Sequence, residues 1–235
     1  MLIDAGISMR EIARRLAGIG VAPDSLDAVV ISHGHSDHVN GVPVACRRLG
    51  IPVFATRGTI LEARMKGPVP PELLRCIRAG DSFDIGSLNI TCFPVPHDSS
   101  EPVGFVISDE SVRVGYATDL GSLTLEVVHA FMGCDAVVLE SNHDEEMLLD
   151  GPYPAFLKKR VNGPLGHLSN ADAMELLRGI AHPGLQHLAL AHLSRTNNLP
   201  ELPLEAAIEA LGESASRVEI SLGWQDRAGA LLILE

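Results

Sequence analysis

Short apolar runs alternate along the chain with longer mixed stretches, and each run predicts an element. LIDAG (2–6) reads as a strand closing in a turn, and SMREIARRLAGIG (8–20) as a helix. Ser8 and Glu11 have the spacing of a capping box, and Gly20 stands where a helix stops. LDAVVIS (26–32) predicts a buried strand, HVNGVPVACRRLG (38–50) a helix despite Pro43, and IPVFAT (51–56) another strand. FDIGSLNITCFPV (83–95) predicts two strands around a Gly-Ser turn. PVGFVIS (102–108) and RVGYAT (113–118) continue the strand pattern. LTLEVVHAFM (123–132) predicts a helix, DAVVLE (135–140) a strand and PAFLKKRV a helix. NADAMELLRGIA (170–181) is an amphipathic helix, QHLALAH (186–192) a strand and PLEAAIEALG a helix, with RVEISLG and GALLILE closing as strands. Strands and helices mix in both halves, which predicts sheets covered by helices in layers, an α/β (α+β) architecture.

Composition narrows the class. The 235 residues suffice for one sizeable core, and a single domain over 1–235 is expected. Hydrophobic residues make up 46% and charged residues 20%, as in a soluble globular protein. No apolar stretch approaches the ~20 residues that cross a bilayer, and no basic segment leads into an apolar one as in a secretory signal. Cys46, Cys76, Cys92 and Cys134 are scattered with no C-x-x-C pair, so they read as reduced thiols of a cytoplasmic protein. The net charge of −12 argues against a broad basic nucleic-acid surface, although bound cations can reverse the sign at a local site.

SHGHSDHVNG (32–41) puts His33, His35, Asp37 and His38 together directly after a predicted strand. His97, Asp119 and His143 with Asp144 also follow strands, and His192 ends one. Strands running side by side would set these groups along one rim, on loops carried by a rigid scaffold. Imidazole and carboxylate together suit zinc, manganese or iron. His33 and His35, alternate residues of an extended loop, can share one ion, and Asp37 and His38 can reach a second. His97, His192 and Asp119 are candidates to complete the two sites. His129, His182 and His187 read as surface or core-edge residues.

HGHSDH, PVPHD, YATDLG and LAHLS, in that order, resemble the signature of the metallo-β-lactamase-fold hydrolases. FPVPHDSSEPVGFVI, VLESNHD, GPYP, GHLSNADA and LAHLSRTNN resemble more closely the YycJ/WalJ-like group of DNA 5′-to-3′ exonucleases. The resemblance implies an αβ/βα four-layer sandwich. It implies His33, His35 and His97 on a first divalent ion, Asp37, His38 and His192 on a second, and Asp119 bridging. GHLSN also resembles a segment of transfer-RNA 3′-processing nucleases, which makes His167 the candidate acid beside Asp119 and Asp37. His143, Ser194 and Asn198 are candidate substrate contacts. Lys158, Lys159, Arg160 and Arg195 are candidate phosphate holders, against which LKKR also reads as a solvated helix face. Family members begin with a strand pair before the LIDAG strand. This chain starts at that strand, so an upstream extension, or an exposed edge open to a second copy as a homodimer, is expected.

The chemistry so implied is a hydroxide bridging two Zn²⁺ or Mn²⁺ ions (iron being a further option) that attacks a phosphodiester. The expected substrate is single-stranded or 5′-ended DNA. Alternatives are a small-molecule hydrolase of the same fold, acting on a cyclic phosphodiester, thioester or lactone, and a non-catalytic metal-binding regulator. No β-CASP-type clamp fits between Asp119 and His167.

Overall fold

The computed structural model describes residues 1–64, 69–229 and 231–234. Its contacts fall into two compact units: Met1–Pro94 with Ser99–Val103, and Val95–Asp98 with Gly104–Glu235.

In the first unit, β1 (Leu2–Ile3), β2 (Val29–Val30), β3 (Val53–Thr56) and β4 (Leu74–Ile77) form a parallel sheet in that order. Parallel neighbours need crossovers. These are α1 (Met9–Gly18), then α2 (Ser36–Val39) with α3 (Val42–Leu49), then α4 (Arg57–Arg64). Ile12, Val29, Ile31, Val42, Cys46 and Val53 share its buried core. Ser8 caps α1 by accepting from the Glu11 amide, while the Glu11 carboxylate turns outward to Arg14 and Arg15.

The helix expected over 38–50 is two helices. The chain passes so close to the Ile7 carbonyl at Gly41 that a Cβ there would overlap it. Pro43 then falls in the first turn of α3, where its missing N–H leaves no bond unmade. The expected strand 26–32 is ladder-paired only at Val29–Val30, and α4 and β4 carry no expectation from sequence. A hairpin of β5 (Ser82–Ile85) and β6 (Leu88–Pro94) follows, turning through Gly86 at φ +63°.

In the second unit, β7 (Val103–Ser108) pairs antiparallel with β8 (Arg113–Ala117). β8, β9 (Ala136–Glu140), β10 (His187–Ala191) and β11 (Glu219–Leu222) then run parallel. The crossovers hold α5 (Leu125–Phe131), then α6 (Glu145–Asp150), α7 (Ala155–Val161) and α8 (Asn170–Ile180), then α9 (Glu201–Leu211). Thr124, Asp144 and Ser169 cap α5, α6 and α8 with side-chain oxygens. Sequence did not predict α6. The final expected strand, GALLILE, is not a strand in its described residues. Its Ile233 carbonyl accepts from His187 Nε2 instead.

Because β8, β9 and β10 are parallel, they end at one edge. Ala117 pairs with Leu139 and Ala191 with Glu140, so Asp119, Glu140 and His192 emerge side by side.

Candidate metal centre

In the first unit, Asp4 follows β1 in a left-handed conformation, φ +55°. Register sets it opposite the end of β2. Its carboxylate accepts from the Ser32 amide at 2.8 Å, from Ser32 Oγ at 2.7 Å and from His38 Nδ1 at 2.8 Å. Ser32 Oγ in turn lies 3.0 Å from His33 Nδ1. The rings gather: His33 and His35 centroids are 4.7 Å apart, and those of His33 and His38 are 4.1 Å apart. Asp37 and His38 lie on the single turn of α2, with Asp37 Oδ2 3.7 Å from His38 Nε2. Gly6 lets the backbone run against the Asp37 carbonyl, where a Cβ would overlap.

In the second unit, His97 Nε2 lies 3.6 Å from Asp119 Oδ1, and Asp119 Oδ1 lies 3.6 Å from His192 Nδ1 and 3.7 Å from His167 Nδ1. Asp119 and His192 are both left-handed, φ +60° and +57°. Such backbone costs on the order of 1 kcal/mol or more per non-glycine residue and clusters at functional sites. Gly121 seats the Asp119 loop on the 164–166 backbone, leaving no room for a Cβ.

Glu140, fully buried at the end of β9, organises this set. It accepts from the Leu120 and Leu168 amides and from the Nδ1 atoms of His167 at 3.0 Å and His192 at 2.6 Å. Burial alone would raise its pKa. The bonds and charges of His167 and His192 outweigh that and hold it well below the usual carboxylate range. Burial likewise opposes a charge on His167, but Glu140, and then Asp119, hold its pKa above the ordinary imidazole value.

Four of the five candidate ligand imidazoles thus have Nδ1 against an oxygen: His33 on Ser32, His38 on Asp4, His97 on the Gly166 carbonyl and His192 on Glu140. This arrangement fixes a ring and presents Nε2 to a metal. Donor spacings of 3.6–3.7 Å are close to those of two ligands sharing one ion at ~2.1 Å in tetrahedral geometry. Imidazole nitrogens with carboxylate oxygens suit divalent transition metals, so the residues fit the implied ions.

Residues 1–192 match the β-lactamase superfamily domain. The chain belongs to the metallo-β-lactamase superfamily. It is 30% identical over 215 residues to the exodeoxyribonuclease YycJ of Bacillus anthracis, covering 91% of this chain and 81% of that protein. To the exodeoxyribonuclease WalJ of Streptococcus pneumoniae it is 31% identical over 217 residues, with the same coverage. The metallo-β-lactamase fold protein YhfI of Bacillus subtilis shares the fold at a TM-score of 0.70 and 18% identity, over 97% of this chain and 84% of that one. The αβ/βα sandwich expected from the motifs is therefore the superfamily fold carried by this chain, and the donor clusters within it mark a metal-dependent hydrolase.

Other expected residues of this superfamily member fall as follows. His143 is fully buried, bridged through its backbone to Ser169, and burial pushes its pKa down toward the neutral ring. Asn198 is buried, and its amide is committed to the Ser141 and Asn142 carbonyls and to Asn170. It pins the loop after β10. Ser194 Oγ accepts from the Thr196 and Asn197 amides. Lys158 donates to the Leu149 carbonyl, whereas Arg160 forms a two-point pair with Asp98, the neighbour of His97. A cleft of about 360 Å³ opens beside His167 and His192, lined also by Tyr153, Arg160, Ser194 and Arg195.

Asp4, Ser32 and Glu140 escaped the sequence reading. Glu140 had a signal: it is the one charged residue inside the otherwise apolar AVVLE strand. Asp4 had less, since an aspartate before a turn glycine is ordinary turn chemistry. Among the described residues, no helix is long and apolar enough to cross a membrane.

Proposed function

We propose that this chain is a dinuclear-metal phosphodiesterase that removes nucleotides from the 5′ end of DNA. In this reading His33, His35 and His97 hold one ion and Asp37, His38 and His192 the other, with Asp119 shared, so one catalytic domain spans residues 1–235. Zn²⁺ or Mn²⁺ suits these donors, with iron a further option. Bound there, such ions lower the pKa of water and offset phosphate charge.

The observation that carries the phosphodiester reading is His167. Its Nδ1 is anchored on Glu140 beside Asp119, and its pKa is raised. An imidazolium held at that place donates a proton to a leaving oxygen or a hydrogen bond to the phosphoryl oxygens. Thioester or lactone hydrolysis has less use for it. The resemblance to the two exodeoxyribonucleases favours DNA as the substrate, single-stranded or 5′-ended, and a cytoplasmic site of action.

A second reading, a hydrolase of small cyclic phosphodiesters, is favoured by the net charge of −12 and by a cleft of only about 360 Å³. Purified protein supplied with Mn²⁺ or Zn²⁺ is given 5′-phosphorylated single-stranded DNA, cyclic nucleotides and a thioester. Release of mononucleotides from the 5′ end supports the first reading. Turnover of cyclic nucleotides without DNA cleavage replaces it with the second.

A further inference from the structure

Trp224 is the only tryptophan in the chain, and it stands on the loop after β11, about one-third exposed (36%). Arg227 covers one face of its indole, with the guanidinium carbon 3.8 Å from the ring centroid. The ring lines a second cleft of about 300 Å³, together with Leu199, Pro200 and Arg195. Arg195, Ser194, Leu193 and Gln225 line this cleft and also the one beside His167 and His192, so the two adjoin along that segment. Gln225 fastens the Trp224 loop to it by donating to the Leu193 carbonyl at 2.9 Å.

Arg195 is the hinge of this arrangement. It is exposed, and no carboxylate or carbonyl among the described residues holds its guanidinium. Arg160, the other arginine of the first cleft, is paired with Asp98. An uncommitted cation where two clefts meet, in a chain of net charge −12, is placed to take an anion. The second cleft itself suits a flat, uncharged group. Its lining includes the Trp224 ring, Leu193, Leu199 and Pro200, with Ser194 and Asn198 as neutral polar groups, and Asp226, which also lines it, repels a phosphate placed inside.

We propose that Trp224 and Arg195 form a nucleotide subsite one step removed from the reacting phosphate. A base of single-stranded DNA stacks on the indole face opposite Arg227, and the adjoining phosphate rests on Arg195. The inference builds on the phosphodiesterase reading above and adds a single-strand-selective contact. Stacking on an aromatic side chain accepts any base, because each base has a π face, so the subsite tolerates sequence and disfavours a duplex whose bases are already stacked.

Because Trp224 is the single tryptophan, fluorescence excited at the red edge, where tyrosine does not absorb, reports this subsite alone. Titration of the metal-loaded protein with a phosphorothioate single-stranded oligonucleotide is expected to quench it. An abasic oligonucleotide of equal length and charge is expected to quench far less. Arg195→Ala, which keeps the reporter, should shift the titration midpoint to higher concentration. Trp224→Ala should raise KM for single-stranded DNA on the order of ten-fold with a much smaller effect on kcat, and Trp224→Phe should recover most of the loss. Equal quenching by the abasic strand, or a Trp224→Ala enzyme with wild-type KM, overturns the subsite. Cleavage of DNA by the wild-type protein without any fluorescence change overturns it while leaving the phosphodiesterase reading intact. No cleavage of DNA at all is the failure of that reading instead.

Discussion

Glu140 and His192, 52 residues apart in sequence, meet at 2.6 Å between a fully buried carboxylate oxygen and an imidazole Nδ1. The pairing follows from register. Glu140 is the last residue of β9, its ladder partner is Ala191, and His192 is the next residue along β10. The same carboxylate holds His167, so one side chain orients both a proposed metal ligand and the proposed acid.

Glu140→Gln keeps the shape but loses the charge and can no longer accept from both rings and two amides. Metal affinity and kcat should each fall about 10- to 100-fold, the usual cost of removing a group that orients a ligand histidine. Metal titration with steady-state kinetics checks both. An enzyme with unaltered affinity and kcat would show that the buried carboxylate only fills space.

His167→Ala and Asp119→Ala should separate chemistry from metal binding. The first is expected to lower kcat by about 10²–10⁴-fold with both ions retained, since general acid catalysis contributes that much. The second should reduce bound metal. Elemental analysis of the purified variants decides it. Equal metal loss in His167→Ala would make that ring a ligand, and unchanged stoichiometry in Asp119→Ala would remove its bridging role.

Gly6→Ala tests whether the Asp37–His38 segment is held by close backbone approach. Its Cβ would overlap the Asp37 carbonyl, so the segment must move or the fold must weaken. The expected result is a melting temperature several degrees lower and weaker metal binding, read by thermal denaturation with and without added Zn²⁺. A variant that melts and binds metal as the wild type would show that this loop yields freely.

The cysteines should divide by burial. Burial pushes Cys92 up to about 12 and also raises Cys46 and Cys134, whereas Cys76 is exposed. The thiolate is the reactive form, and a raised pKa removes it at neutral to mildly alkaline pH. One thiol, Cys76, should react rapidly with a disulfide reagent near pH 8, and the other three only after unfolding. Mass spectrometry of the labelled peptides reads this directly, and fast labelling of Cys92 would contradict its burial.

Much of this protein was legible in its sequence because metal ligation constrains residue type and short-range spacing together. His33, His35, Asp37 and His38 stand out as candidate ligands within six positions, and strand-length apolar runs located most of β1 to β11. Helix boundaries were less legible. At the break, Gly41 has the Ile7 carbonyl lying against it, and in the described residues of the expected final strand the Ile233 carbonyl meets His187, both contacts between distant segments. The groups that orient the proposed ligands were hidden for the same reason. Asp4 is ordinary turn chemistry as a letter in the chain, and Glu140 stands out only as a charge in an apolar strand, with no hint of its partners. They become organisers only when parallel register sets Asp4 against Ser32 and His38, and Glu140 against His167 and His192. Sequence fixes which atoms can bind a metal. Tertiary structure decides which way they point, because a hydrogen bond across strands orients an imidazole that its own backbone leaves free to turn.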